Sequence, residues 1–428
     1  MDRAKVYIET YGCASSQNDS EIMAGLLSEK FEIVNDIEQA NVVIINTCTV
    51  KRTTENKLRF RIKEVSEKYP EKKLVIAGCM PEAQPDLVKE LAPDASLLST
   101  NRIKEIVSVV EKTLKNEKCE LLGKVKHEKT NLPKIRKNPV VDIIEICSGC
   151  DYACTYCITK LAKGSTFSYS SETILRQMRC SLASGVKEFW ITGQDISAYN
   201  YNGMKLPDLL EFIEKHLHGK YFIRLGMMHP SNVKSMLREL IGAYKSDHIF
   251  KFLHLPVQSG SNTILEKMKR DYTVSEFKKI VSSFRKSIPE ITVWTDVIVG
   301  FPEETEEDFK KTLKLIEDIK PDFVNVSRYS VRPGTVAARM KQLPTEILKE
   351  RSRKASEIVN KISLEKNQEW IGWEGEVLID EFNENKRTWI GRNFAYKPVV
   401  LDSKLKLGDV AKVKIVSAER THLLGEVI

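Results

Sequence analysis

Four of the nine cysteines fall in the segment CSGCDYACTYC, positions 147 to 157. Cys150, Cys154 and Cys157 read C-x3-C-x2-C, and thiols at such spacing in a reducing compartment point to metal or redox use. Structural zinc sites pair cysteines about two to four residues apart and complete a tetrahedron with a second pair or with histidines. Here the neighbourhood offers no fourth ligand except Cys147. Three thiolates suit another chemistry, because they can hold three irons of a cubane cluster, whereas full protein ligation needs four cysteines. The remaining iron is then free for a small molecule, like the open position of a catalytic metal site. Gly149 lets the chain turn into this loop, and Tyr156, between two ligands, is placed to cover the cluster or touch what binds it. A zinc knuckle remains the alternative.

Cys13, Cys48 and Cys79 form a second set. Each follows a strand-like run: YIETYG, VIINT and VIAG. The steps from 13 to 48 and from 48 to 79 are each one βα unit long. Consecutive parallel strands would bring the three to one sheet edge, where doubly wound folds bind ligands. Buried cysteine is also a common small hydrophobe. That explains one such placement easily and three together poorly, so a joint metal site is expected.

The elements that must carry these ligands show in the apolar pattern of the 428-residue chain. Over residues 1–115, strand and helix signals alternate, with buried-parallel runs at NVVIINT and KLVIAG; a small doubly wound parallel sheet is expected. Residues 116–138, basic, poorly periodic and ending in NLPKIRKNP, read as a linker. Six β-rich runs follow over 139–367: VDIIEI, EFWIT, YFIRLG, FKFLHL, TVWTDVIV and DFVNVSRY. Helical stretches separate them, one starting near Ser170 and one after Thr305, where TEED supplies a capping box. This order predicts a partial (β/α)6 barrel with its chemistry at the C-terminal strand ends. There stand the cysteine loop, TGQD, MMHP, PVQSGS, GFPEET and SVRPGT. From 368 to 428, short strands without long helices predict a small β-barrel of the oligonucleotide-binding size class.

Composition narrows the setting. No run approaches the roughly 20 apolar residues a bilayer span needs, so no membrane partner is expected. The start MDRAKVYIETYGC lacks the apolar core and cleavage site of a signal peptide, so a cytoplasmic location is expected. The net charge of +8 is compatible with nucleic acid. Between Lys112 and Lys137 nine basic residues face three acidic ones, and Lys51, Arg52, Lys57, Arg59, Arg61 and Lys63 form another basic stretch. Either is a solvated surface or a phosphate-facing one.

C-x3-C-x2-C after the first barrel strand, with an aromatic residue before the last cysteine, resembles the radical S-adenosylmethionine (SAM) enzymes. The preceding domain with its three cysteines, TGQD at Thr192–Asp195, PVQSGS at Pro256–Ser261, GFPEET at Gly300–Thr305, RPGT at Arg332–Thr335 and the terminal barrel make the whole chain similar to the methylthiotransferases. GMMHP at Gly226–Pro230 points toward the archaeal and eukaryotic-type branch acting on N6-threonylcarbamoyladenosine in tRNA. The resemblance implies two [4Fe-4S] clusters, one on each cysteine trio, with SAM chelated by the open iron beside Cys150, Cys154 and Cys157. Electron transfer from a donor would cleave SAM to methionine and a 5′-deoxyadenosyl radical, which takes hydrogen from C2 of an adenine beside the anticodon. That carbon is not acidic, so a general base would fail where a radical succeeds. The cluster on Cys13, Cys48 and Cys79 would supply the methylated sulfur, and a second SAM its methyl group. The implied partners are SAM, a tRNA anticodon stem-loop and an electron donor.

Further contacts follow as expectations. Gln194, Asp195, Gln258 and Ser259 end successive strands and are expected to hydrogen-bond the ribose or amino-acid part of SAM. Val299 and Gly300 would let its adenine approach the backbone. Turn formation and ordinary rim polarity are the alternatives for each. In the terminal, TRAM-like barrel, Trp389, Arg392, Phe394, Tyr396 and Lys397 combine stacking faces with phosphate-binding charge, as single-stranded RNA requires. From Glu369 onward nine basic residues meet ten acidic ones, so any RNA surface there is a local patch.

Some positions depart from the family pattern. Cys147 stands where a polar residue is expected and is read as pointing back into the strand end. Lys163, in AKG, stands where the family commonly has arginine, which keeps the charge but loses the bidentate fork. Cys119 and Cys180 have no partner pattern, and no catalytic residue beyond the cluster cysteines is identified. Competing readings are action on isopentenyladenosine in tRNA or on a ribosomal protein aspartate, and, from another class, a zinc-stabilised RNA-binding protein without catalysis.

Overall fold

The computed structural model describes residues 3–50 and 52–428; Lys51 of the basic stretch lies outside them. Six parallel strands form the first sheet: β1 (Lys5–Thr10), β2 (Glu32–Val34), β3 (Val42–Thr47), β4 (Lys73–Gly78), β5 (Ser96–Ser99) and β6 (Glu120–Leu121). Their order is β2-β1-β3-β4-β5-β6. Alternation along β3 divides its side chains between two cores. Val42 and Ile44 pack with Ile22, Leu27 and Val109, whereas Val43 and Ile45 pack with Leu58, Ile62 and Val88. Both faces are thus covered, as an unbroken apolar strand requires.

The sheet is doubly wound as expected, but the domain does not end at 115, because β6 extends it. The segment expected to be a linker is a packed strap. The backbone of Pro133 lies where a Cβ on Gly25 would sit. Ile135 donates its N–H to Glu21 O (3.0 Å), and Lys134 donates to Asp142 (2.7 Å) and to the Ile143 carbonyl (2.6 Å). Lys129 and Lys134 therefore satisfy carboxylates and carbonyls of the adjoining domains, while Lys124 and Lys126 stay exposed.

The central domain starts with β7 (Val141–Glu145), followed by a short antiparallel pair, β8 (Cys147–Ser148) and β9 (Phe167–Ser168). β10 (Glu188–Thr192), a small hairpin of β11 (Asn200–Tyr201) and β12 (Met204–Lys205), and β13 (Phe222–Leu225) come next. β14 (Phe252–His254), β15 (Thr292–Val299) and β16 (Phe323–Arg328) complete it. The parallel sheets β7-β10-β13 and β14-β15-β16 meet through a bridge between Ile223 and Ile249. The result is the expected open six-stranded arc with helices outside. Two helices start where side-chain caps dictate: Ser170 accepts from Thr173 N–H, and Thr305 and Asp308 form the reciprocal box ahead of Glu306–Ile319.

Helix Thr345–Gln368 leads into a closed five-stranded barrel of β17 (Glu374–Asn383), β18 (Thr388–Arg392), β19 (Pro398–Leu401), β20 (Val410–Ala418) and β21 (Leu423–Val427). Three residues expected to meet RNA serve its docking instead. Tyr396 is buried, its ring 4.9 Å from that of Phe250 and 5.0 Å from that of Phe252. Lys397 Nζ, also buried, donates to Asp322 (2.8 Å) and Asn367 (3.0 Å). Phe394 packs against Trp370 and Trp373, and its carbonyl receives Lys251 N–H. The aromatic and basic side chains are there, but they are consumed by a domain seam. Trp389 packs at a tilt against Phe382 and Arg392 binds Asp380 (3.0 Å), and both remain partly accessible.

The seam also buries Glu188. Trp190 Nε1 donates to one of its oxygens (2.5 Å), and the other has no hydrogen-bond partner among the described residues. Burial pushes this carboxyl up to about 8, Asp380 adds to the rise and Arg392 opposes it. A carboxyl raised by folding stabilises fully below its ordinary value of 4.5 and loses that contribution as pH climbs toward 8. Glu188→Gln is therefore expected to flatten the fall in thermal stability across that window. Calorimetry showing the same slope in the variant would remove Glu188 as its cause.

Candidate active site

The first cysteine trio gathers at the C-terminal edge of the first sheet. Cys13 caps helix Ala14–Ser28, Cys48 follows β3, and Cys79 opens helix Cys79–Ala83 after β4. β1, β3 and β4 are neighbours, and Thr47 is in register with Gly78, so Cys48 and Cys79 leave the sheet side by side. Gly12 adopts φ 128°, and a Cβ there would lie 2.6 Å from Cys48 Cβ. Only glycine fits the turn that brings Cys13 to its partners. Burial, and then the field of Cys13, raises the Cys48 thiol. Cys79 rises to about 12 through burial, with Lys163 opposing and Cys48 and Cys13 adding to it. The three thiols thus lie within one another's electrostatic reach, and bound iron would hold them as thiolates.

The second trio sits on a loop tied down at several points. Cys150 N–H donates to Gly164 O, Thr155 N–H to Met268 O, and Ala337 N–H to Thr155 O. Gly149 has φ 87°, and the Ser165 carbonyl occupies the place of a Cβ. Burial raises the Cys150 thiol to about 12 and lifts that of Cys157 as well. Among the described residues no three His, Cys, Asp or Glu side chains crowd together as ligands of one ion. Cubane thiolates bind separate irons, so each trio need only surround a common cluster. Three thiols per trio with no fourth ligand fit such a group.

Arg270 is the residue that sequence reading missed. Its Nη1 lies 3.6 Å from Cys154 Sγ, its Nη2 donates to Pro256 O (3.2 Å), and its Nε donates to the Tyr272 hydroxyl (3.1 Å). In the run KMKRDY it looks like one more solvated cation. Tyr156 stands edge-on to Phe301 at 6.5 Å in the adjoining wall. Cys147, by contrast, is fully buried with Sγ donating to Asp195 O at 3.4 Å, directed away from a ligand role.

The expected SAM contacts divide. Gln258, at φ 70°, is half-buried at the rim with its amide free among the described residues. Gln194 accepts Gly149 N–H (2.6 Å), so it shapes the cysteine loop. Asp195 is a scaffold residue, because its two oxygens already take Ser197 N–H and hydroxyl, His229 N–H and the Asn232 amide. Ser259 is fully buried, accepting Ser261 N–H. Val299 packs against Phe309 and Ala355. Gly300 N–H binds Glu304, and the space a Cβ would need there belongs to Leu348, not to a ligand. Asp195, Ser259, Val299 and Gly300 hold the strand ends in place.

The two cysteine rims face each other. Helix Cys79–Ala83 packs on helix Thr159–Lys163, which follows the second trio, and Asn101 donates to Ala162 O (2.9 Å). Behind them lies a buried charge cluster. Lys129 binds Asp19 (2.6 Å) and Glu145 (3.3 Å), and Lys163 lies 3.8 Å and 3.6 Å from the same two carboxylates. Burial opposes the charge on Lys163, but Glu145, Asp19, Cys79 and Cys13 together raise its pKa. A second clamp comes from the RPGT motif, whose Arg332 donates to Glu55 (2.6 Å) and to Val50 O (2.7 Å), two residues beyond Cys48.

Three sequence families match along the chain: the uncharacterized protein family UPF0004 at residues 5–99, the Radical SAM superfamily at 144–316 and the TRAM domain at 369–428. A probable threonylcarbamoyladenosine tRNA methylthiotransferase of Methanothermobacter thermautotrophicus is 41% identical over 427 residues, covering 100% of both chains. The chain belongs to the threonylcarbamoyladenosine tRNA methylthiotransferase family. The Homo sapiens member is 35% identical over 99% of this chain and 74% of its own length. Among solved structures, the radical SAM methyltransferase TsrM from Kitasatospora setae aligns with a TM-score of 0.59 at 15% identity, over 79% of this chain and 74% of that one. That likeness concerns the fold. The chain is an enzyme of the radical SAM methylthiotransferase class, and the family assignment disfavours a non-catalytic zinc protein.

The Arg332 clamp yields a stability test. Both side chains of the Arg332–Glu55 pair are about 5% exposed, and cutting away one partner of a buried pair costs about 3–5 kcal/mol. Arg332→Ala should lower the melting temperature and make residues 48–55 newly sensitive to protease. A variant that melts and resists digestion like the parent would show the clamp to be ornamental.

Proposed function

We propose that this enzyme methylthiolates C2 of N6-threonylcarbamoyladenosine beside the anticodon of tRNA, using two [4Fe-4S] clusters and SAM. One observation carries the reading: the helix opened by Cys79 packs on the helix that follows Cys157, so the two trios address one space. Cys150, Cys154 and Cys157 would hold one cluster, and Cys13, Cys48 and Cys79 the other. When bound, the clusters and SAM supply radical formation and the sulfur and methyl that are transferred.

The chain's own residues supply everything else. Gly149 and Gln194 fix the approach of the cysteine loop, Arg270 sets a buried cation against Cys154, and Gln258 offers its amide at the rim. Tyr156 and Phe301 wall the site against water, which protects a reactive intermediate. On the terminal barrel a cavity of about 330 Å3, lined by Lys386, Arg392 and His422 among others, is the local basic patch for RNA. An electron donor and cytoplasmic placement complete the reading; among the described residues no helix is long and apolar enough to cross a membrane.

Anaerobically reconstituted protein should carry about eight irons per chain, and removing either trio by alanine substitution should leave about four. With SAM and a reductant, a synthetic anticodon stem-loop bearing threonylcarbamoyladenosine should gain a methylthio group, detected by nucleoside mass spectrometry. Product on isopentenyladenosine RNA instead, or four irons in the parent, would refute the proposal.

A further inference from the structure

A cavity of about 120 Å3 lies between the strap and the cysteine loop, beside the space the two trios share. Lys163 and Ser148 both line it, and both are at least nine-tenths buried. Among the described residues Lys163 Nζ and Ser148 Oγ have no hydrogen-bond partner, while Lys163 keeps ion pairs with Glu145 at 3.6 Å and Asp19 at 3.8 Å. An orphaned buried donor is costly unless a ligand completes it. Asn101 adds an amide to the wall, and Lys124 and Lys126 stand exposed at the edge.

The unanswered charge lies at the rim of the cavity, not at its buried floor. Lys129 and Lys163 are matched by Asp19 and Glu145. Among the described residues Lys124 and Lys126 have no ion-pair partner. The remaining lining includes Val125 and Phe167, which are apolar. The site therefore asks for a small group with one negative charge, oxygen acceptors, a hydroxyl and a little apolar surface. The lining offers no carboxylate or thiol for a metal ion, and Lys124, Lys126, Lys129 and Lys163 in it are cations.

We propose that this cavity is the specificity pocket for the substituent on the target adenine, taking the carboxylate of its threonyl group on Lys163 and Ser148. This rests on the substrate reading above. The threonyl methyl would meet Val125 and Phe167, and its hydroxyl would meet Asn101. An isopentenyl group carries no charge and leaves both orphaned donors unpaired. Sites built to hydrogen-bond a polar group reject analogues lacking it far more strongly than apolar pockets reject a missing methylene. Lys163 thus becomes a specificity-determining residue.

The test measures binding of anticodon stem-loops to the cluster-loaded protein by anaerobic fluorescence anisotropy. Three RNAs are compared: one with the threonylcarbamoyl acid, one with its neutral carboxamide and one with unmodified adenosine. The parent should bind the acid about tenfold or more tighter than the carboxamide, the scale of one hydrogen bond to a charged group. Lys163→Met should bring that ratio to about one, and Lys163→Arg should retain most of it. Lys124→Ala and Lys126→Ala, at exposed positions that leave the fold alone, should each reduce it roughly twofold to threefold, as rim charges do.

Equal binding of acid and carboxamide by the parent overturns the proposal. So does an acid-over-carboxamide ratio that survives Lys163→Met. Methylthio product on the acid RNA without acid-over-carboxamide preference sinks the pocket and leaves the activity standing. A preference with no product on any threonylcarbamoyl RNA does the reverse.

Discussion

Four buried charges hold the two halves of this active site together. Asp19 lies on the helix capped by Cys13, Glu145 ends the strand that leads into the second cysteine loop, Lys163 closes the helix after that loop, and Lys129 comes from the strap. Each carboxylate belongs to one rim and each is addressed by both lysines. Such a cluster stabilises the fold only weakly, since desolvation offsets most of its Coulomb gain. Its effect is geometric. Charges of this kind tolerate one relative placement of the domains, whereas an apolar seam of the same area would accept several. In the reading proposed above, a base that both cysteine trios must reach needs a fixed separation more than it needs a few extra kcal/mol.

The rims themselves depend on glycine in the same way. Gly12 and Gly149 both take positive φ, and at both the space of a Cβ is occupied, by Cys48 and by the Ser165 carbonyl. Cysteines set in ordinary strand-to-helix turns would diverge with the twist of the sheet. Close backbone approach at those two points lets thiols separated by a whole βα unit, or by a single loop, converge. The clamp from Arg332 to Val50 O then locks the Cys48 loop from the side of the central domain.

The same contacts explain what could be read from the chain and what could not. Alternation and β-branched runs located every barrel strand, and caps at Ser170 and Thr305 located helix starts, because those signals are local. The two cysteine trios stood out in the sequence because thiols recur at such spacing for few other reasons. Charged and aromatic residues did not, because their partners are distant in sequence. Arg332 and Glu55 are 277 positions apart, and Arg270 and Cys154 are 116 apart. A lysine such as Lys397 looks the same in sequence whether it meets phosphate or, as here, Asp322. The strap misled for the same reason: high charge and weak periodicity describe a mobile linker and also a segment saturated by partners from two domains. Asp195 and Ser259 show a third case, in which polar rim residues are consumed by their own loops.

The terminal barrel is seated at the far end of the central strands from the chemistry. Its seam is made with Glu188, Phe250, Phe252 and Asp322, residues at or just before the starts of β10, β14 and β16. The cysteines and rim loops stand at the other ends. At about 3.3 Å per residue, the eight-residue β15 alone spans about 26 Å. In the proposed reading, an RNA bound on the barrel's basic patch would therefore run along the flank of the central domain to place a base between the trios. A nucleoside cannot touch both places, whereas the stem-loop of the proposed reading is long enough to do so. Binding energy from the remote end is then available to hold the target base at the site, which is where orientation counts most. The rigid seam matters for this reason. A barrel on a flexible tether would raise local concentration only, while one locked by Lys397, Tyr396 and the Glu188–Arg392–Asp380 group fixes the distance over which the RNA is measured.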